Sequence, residues 1–319
     1  MGSAARSSPY VELRCRSAFS FLEGASLPED LAAAAATLGY GAIALADRDG
    51  LYGAPRFFRT ARKVGVRPLV GADITLAAEP SDEGDIPKGK AIKGPPAPPP
   101  VLLLVQNRTG YKNLCRLITA MKAGHAKGEG AATYEQIAVH AEGLIALAGG
   151  EPRTDLRRLR DIFGDGHLYV DLQRHLDDAE AHRNRRAVSM AAGLGIPAVA
   201  TNDVRFAEPR LRRLHDVLTC ARHKITIDDA GRTLLRNAER HLKPPAVMAA
   251  LFRDRPDALA ATLSVAERCE FTLADLGYDF PRFAVGAGES EQSVLEAATW
   301  MGARERYRPL TDKARRQLE

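Results

Sequence analysis

Cysteine is scarce in this 319-residue chain: there are four, Cys15, Cys115, Cys220 and Cys269. They are scattered, with no C-x-x-C and no paired spacing, so no disulfide framework is offered. Buried or idle thiols in a reducing, cytoplasmic compartment are expected. Aromatic residues make up only 6%, with a single tryptophan, Trp300, which is expected to pack on an amphipathic helix. None is interleaved with the basic stretches "RTDLRRLRD" and "HRNRR", so these read as solvated helix faces and not as stacking platforms for single strands. Long apolar runs are lacking too. The most apolar window, "LAAAAATLGYGAIALA", is broken by Gly39 and Gly41, and reads as a helix followed by a strand, with no membrane contact. The opening "MGSAARSS" is polar with no apolar stretch after it, which argues against a signal peptide. "KAGHAKGEG" lacks the G-x-x-x-x-G-K-S/T pattern of a phosphate-binding loop and reads as a plain loop. Charge of one sign is not in great excess: 45 basic against 40 acidic residues give a net +5. A pI of 9.1 is compatible with a nucleic-acid partner without specifying one.

What is present is a series of seven short apolar runs: "YVELRC", "AIALAD", "RPLVGADITL", "VLLLVQN", "LIALAGG", "HLYVDLQ" and "IPAVATND". Runs this continuous suit strands covered on both faces, as in a parallel sheet. Segments between them carry helical periodicity and end at glycine, as in "APRFFRTARKVG" and "GYKNLCRLITAMKAG". Ser26-x-x-Glu29 reads as a capping box, with Pro28 in the first turn and Gly39 ending the helix. Repeated strand–helix units predict an α/β fold, a (β/α) barrel or failing that an open doubly wound sheet. Residues 79–100, rich in Pro, Gly and Lys, read as a flexible insertion, and residues 1–9 as a disordered tail. After Asn202 the pattern turns mainly helical, and the chain stops inside a charged helical pattern with no sign of a natural ending.

In parallel α/β barrels chemistry sits at the C-terminal ends of the strands. Those ends here carry Arg14 and Arg16, Asp47 and Arg48, Asp73, His175, and Asp203 with Arg205. Singly, each has a bland reading: an Asp at a strand end is most often a turn or cap residue, and a lone His is usually structural. Their convergence from five strands on one rim lifts them above that.

With these residues in view, the successive stretches "ELRCRSAFSFLEGAS", "ALADRDGLYG", "RPLVGADITL", "YVDLQRH" and "ATNDVRF" resemble the ordered motifs of the PHP (polymerase and histidinol phosphatase) domain. The version they resemble stands at the N-terminus of bacterial C-family DNA polymerases, and "LADRDGLYG" and "NAERHLKPP" look like its error-prone branch. "TWMGARERY" is similar to the segment leading into the polymerase palm. The resemblance implies a PHP-type distorted (β/α)7 barrel over 10–283 with a mainly helical C-terminal extension. Residues 284–319 would be a linker and the start of the palm region. It also implies that Arg14 and Arg16 stand where metal-bearing members have His-x-His, that Arg48 and Arg205 each replace a histidine, and that Asp73 replaces a glutamate. Pro100 stands where another histidine would fall, while His175 and Asp203 match ligand positions.

Guanidinium has five N–H donors, no available lone pair and a pKa above 12, so it cannot replace imidazole as a ligand. A catalytically inactive scaffold with a degenerate metal site is therefore expected, with Asp73, His175 and Asp203 as the residual metal candidates. In place of metal, an arginine–aspartate network is expected, Asp47, Asp73 and Asp203 accepting from Arg14, Arg16, Arg48 and Arg205. Four arginines against three carboxylates leave positive charge over, which suits an anion. By resemblance the parent would be a DNA-directed DNA polymerase of repair or translesion synthesis, with Mg2+ as its cofactor but none in this segment. Its partners would be DNA, its own palm and thumb, and other repair or replication proteins. The competing readings are a free-standing PHP phosphoesterase or pyrophosphatase, and a non-catalytic anion- or protein-binding module.

Overall fold

The computed structural model describes residues 10–78, 99–126, 128–151, 154–277 and 283–319. The tail at 1–9 and residues 79–98 of the expected insertion lie outside them. The chain divides into two compact units, Met1–Asp275 and Leu276–Glu319.

All seven apolar runs form strands: β1 (Glu12–Cys15), β2 (Ala42–Arg48), β3 (Arg67–Ile74), β4 (Val101–Val105), β5 (Leu144–Ala148), β6 (Leu168–Gln173) and β7 (Ala198–Thr201). They lie side by side in sequence order in one sheet. The sheet curls into a nearly closed barrel whose seam is a single parallel bridge between Cys15 and Val204. There Arg16 N donates to Val204 O at 2.9 Å and Val204 N to Arg14 O at 2.8 Å. One expectation is corrected: β4 runs antiparallel to both β3 and β5, while the other ladders are parallel. A continuous apolar run reports burial on both faces, which any covered strand needs, and carries no signal of direction. Because of the reversal, it is the residue before β4, Pro100, that reaches the rim formed by the C-terminal ends of the other strands.

Helices cover the outside: α1 (Pro28–Thr37), α2 (Ala54–Lys63), α3 (Arg108–Lys122), α4 (Tyr134–Val139), α5 (Leu156–Phe163) and α6 (Asp178–Gly193). After β7 come α7 (Arg212–His223), α8 (Pro245–Leu251) and α9 (Pro256–Arg268). The expected capping box at the start of α1 is also corrected. Leu27 is the N-cap, and Asp30 takes its N–H at 3.3 Å. The Ser26 hydroxyl instead accepts from Ala207 N at 2.9 Å, and Glu29 pairs with Arg56. A tertiary acceptor role for Ser26 has displaced the local one.

Strand alternation sorts the core into two layers. Ile43, Leu45, Val70, Ala72, Val170 and Ala200 face the helices, and Leu13, Ala44, Leu69, Leu102, Leu147, Tyr169 and Val199 fill the barrel. Helix α9 plugs the end of the barrel where β1 and β3 begin, adding Val265 and Cys269 to the inner layer. It is tied there by Arg67, which donates to Ala266 O at 2.7 Å, and by Thr262 Oγ1, which accepts from Val11 N at 3.2 Å. The opposite end is left open for the charged rim.

The second unit holds α10 (Glu291–Arg306), capped by the Ser290 hydroxyl, and α11 (Asp312–Leu318), capped by that of Thr311. Trp300 is half-buried on α10.

Candidate functional site

Period-two alternation decides which rim residues meet. Asp73 shares a face with Leu69, Asp171 with Tyr169, and Thr201 with Val199, so all three point into the barrel. On β1 the alternation is broken: Val11 and Leu13 face inward but Cys15 faces the helices, and the register against β2 shifts between Glu12 and Cys15. That irregularity turns Arg14 and Arg16 into the barrel, the re-aiming of a side chain that bulges provide.

Arg14 and Arg16 occupy the floor. Arg14 Nη2 and Nε grip Asp73 at 2.6 and 3.3 Å, Nη1 donates to Asp171 at 2.5 Å, and Nη2 also reaches Pro100 O at 3.1 Å. Arg16 binds Asp73 through Nε at 2.8 Å and through Nη2, and sends Nη1 to Glu23 at 3.0 Å. Asp171 is held further by Thr201 Oγ1 at 2.6 Å and Gln173 at 3.0 Å. Burial by itself raises the Asp73 carboxyl, but Arg14, Arg16 and Arg48 outweigh it and bring it down to about 2.

A second tier lies nearer solvent. Arg205 donates to Asp203 Oδ2 through Nη2 at 2.9 Å and Nε at 3.2 Å, and Arg240 joins on the same oxygen. Arg48 reaches Glu23 at 3.3 Å and Thr75 at 3.2 Å. Glu23 is the hub of this tier, with Arg222 on its other oxygen at 2.9 Å. Burial raises the Asp203 carboxyl, yet Arg205, Arg16, Arg240 and Arg14 together hold it well below the usual range. Its backbone sits at φ +40°, a left-handed conformation that is costly for a residue other than glycine. The tiers line a cleft of about 370 Å³.

Of the expected members, Arg14, Arg16, Arg48, Asp73, Asp203 and Arg205 are brought together. Asp47 is not. It lies on the opposite face of β2 from Arg48, as adjacent strand residues must, and accepts from Ser17 N at 2.7 Å and from the Ser17 and Ser20 hydroxyls at 2.8 Å each. Burial pushes its carboxyl up, and these neutral donors, with a smaller pull from the Arg16 charge, only partly offset that. His175 is turned away as well: Nε2 faces the Asn202 carbonyl at 2.9 Å and Nδ1 faces Glu180 at 2.7 Å.

A divalent metal needs lone pairs, and this donor set does not offer them. Both oxygens of Asp73 are covered by guanidinium, and Asp203 keeps only Oδ1 clear of hydrogen bonds, 3.7 Å from Arg16 Nη2. Both His175 nitrogens are committed to oxygens. Among the described residues, no three His, Cys, Asp or Glu side chains are grouped as metal ligands. The residues do not fit a metal centre.

Sequence reasoning missed Asp171, Glu23 and Arg240. Asp171 carried a usable signal, since it sits two residues before Gln173 on a strand whose odd positions face in. Glu23 and Arg240 carried none, because only the tertiary fold brings their loops to the rim.

A barrel with this strand order and a rim fed from the ends of its strands defines the class, and the model of the PHP domain matches residues 12–175. The chain belongs to the PHP domain family. Its relatives include the error-prone DNA polymerase of Anaeromyxobacter dehalogenans, 39% identical over 281 residues, covering 85% of this chain and 23% of that protein. Error-prone DNA polymerase 2 of Rhizobium meliloti is 36% identical over 306 residues, covering 93% of this chain and 26% of that one. The chain thus spans about a quarter of the length of the curated relatives it matches. Among solved structures, an amidohydrolase from Chromobacterium violaceum superposes with a TM-score of 0.43 at 13% identity, over 61% of this chain and 87% of that one.

Proposed function

We propose that this chain is the N-terminal PHP region of an error-prone DNA polymerase, and that its barrel serves as a scaffold and not as a hydrolase. The polymerase part of this reading is supported by relatives at 34–39% identity over most of the chain. In that reading, DNA binding and Mg2+-dependent nucleotidyl transfer belong to the stretch of the relatives that this chain does not span.

The scaffold part rests on one observation: the guanidinium groups of Arg14 and Arg16 lie on Asp73 at the centre of the barrel floor. Metal-assisted phosphoester hydrolysis needs a cation there to polarise the phosphoryl oxygen and to acidify water. A guanidinium offers charge and hydrogen bonds but binds no hydroxide. The network instead ties β1, β3 and β6 together at the rim, which suits a body against which other domains pack.

Two measurements test the reading. Immunodetection of the native gene product in cell extract is expected to show a band several times heavier than 34.5 kDa, and a band at 34.5 kDa would remove the polymerase assignment. Hydrolysis of p-nitrophenyl phosphate with Mn2+ or Zn2+ is expected to stay at the blank rate. Metal-dependent turnover that is lost in Asp73→Asn would overturn the scaffold reading.

A further inference from the structure

We propose that the mouth of the arginine cleft binds one phosphate-type oxyanion directly through guanidinium groups, with no metal between them. The argument is an accounting of donors. A guanidinium carries five N–H donors and is content only when most are met by acceptors or water. On the floor this is nearly achieved, since Arg14 and Arg16 each spend three nitrogens on Asp73, Asp171, Pro100 O and Glu23.

At the mouth it is not. Arg48 Nε is buried and donates to nothing among the described residues. Among the described residues, Arg240 places only Nη1, on Asp203. Arg205 directs Nε and Nη2 at the same Asp203 oxygen, and its Nη1 has only a 3.5 Å contact to Glu23. Arg183, exposed on α6, lines the same cleft without a protein acceptor among the described residues. The carboxylates bonded to this tier are Asp203 and Glu23, and Glu23 is already shared with Arg16 and Arg222. Glu151, Asp171 and Glu180 also line the cleft; Arg14 holds Asp171 and His175 faces Glu180, so Glu151, whose Oε2 is buried without a partner among the described residues, is the carboxylate that most opposes an anion. Burial above all, with repulsion from Arg16 and Arg240 added to it, pushes Arg205 down to about 9.

An oxyanion with several acceptor oxygens supplies what the tier lacks. Its edges match the guanidinium fork, and charge-assisted bonds of this kind are roughly twice as strong as neutral ones. The step proposed is binding alone, with no bond formed or broken. The anion is free phosphate or the terminal phosphate of a nucleotide, since both present the same oxygens to the same forks.

The test is a thermal-shift titration of the chain in EDTA at constant ionic strength, with inorganic phosphate in one arm and a nucleoside 5′-monophosphate in the other. Phosphate also stabilises proteins non-specifically by exclusion from their surface, so dependence on the variant is the deciding signal. A saturating upward shift is expected, with apparent affinity weakened about tenfold or more in Arg48→Gln and in Arg183→Gln. Arg183 is exposed and makes no hydrogen bond or ion pair among the described residues, so its variant reports even where Arg48→Gln fails to fold. A stronger response to the nucleotide would place the phosphate on a nucleotide, and equal responses would assign the free ion. A non-saturating shift, or one unchanged in Arg183→Gln, overturns the proposal. The proposal rests on the metal-free reading of the cleft, and the two fail distinguishably. Protection that appears only after Mn2+ is added would overturn both, whereas a flat response with and without Mn2+ would overturn the anion site alone.

Discussion

Arg14 touches three acceptors that arrive from three different parts of the chain: Asp73 on β3, Asp171 on β6 and the carbonyl of Pro100. Its side chain is only 6% exposed, and those of Asp73 and Asp171 are fully buried. An arrangement of this kind contributes little net stability while intact, because desolvation of the ions consumes most of the Coulomb gain. Removing one partner is another matter. Arg14→Met is expected to cost about 3–5 kcal/mol in urea unfolding, since it strands buried carboxylates without their counter-charge. A loss below about 1 kcal/mol would mean that the floor is far wetter than its burial indicates. The type and place of this residue were legible, as an arginine at a strand end where the family resemblance implies histidine. Its partner Asp171 escapes a reading of strand ends, and Asp47 joins Ser17 and Ser20 instead of the expected arginines. A strand end counts as one group in the sequence, but the two-residue period puts Asp47 and Arg48 on opposite faces and brings Asp171 onto the face of Gln173.

Between elements, the seam of β1 with β7 is sealed as much by one carboxyl as by backbone. Glu12 is buried and accepts from Tyr10 Oη at 2.7 Å, Arg14 N at 2.8 Å and Asn202 N at 3.0 Å. Burial dominates, and although these donors pull the other way its carboxyl is pushed up to about 8. A carboxyl raised from 4.5 makes its full contribution below pH 4.5, and loses it as pH climbs towards 8, on the order of 1.4 kcal/mol per pH unit. Glutamine keeps the acceptor oxygen without the charge. The stability of Glu12→Gln relative to wild type is therefore expected to rise with pH across that window and to level off above it. Urea melts at several pH values would show this, and a difference independent of pH would mean that Glu12 is ionised at little cost. The seven strands were readable as elements because apolar runs between helical segments survive any direction of travel. The reversal of β4 was not, and neither was the role of Ser26, whose donor partner, Ala207 N, lies 181 residues away.

Taken whole, the barrel closes through contacts that are distant in sequence: Cys15 with Val204, Glu12 with Asn202, Val11 with Thr262, and Tyr40 Oη with Lys243 O at 2.6 Å. Closure entropy has to be met before such contacts contribute, so they are expected to form late. Val204→Ala is accordingly expected to speed unfolding several-fold and to leave refolding almost unchanged, as read from the two arms of a stopped-flow chevron. A slowed refolding arm would place the seam in the nucleus. For a chain leaving the ribosome the consequence is a matter of time. At about 5–20 residues per second, β1 is out for on the order of ten seconds or more before its closing partner exists. Throughout that interval two arginines destined for a dry interior remain in water, fully hydrated. The strand that carries them is kept from early, wrong burial by its own charge until the far side of the barrel has been made.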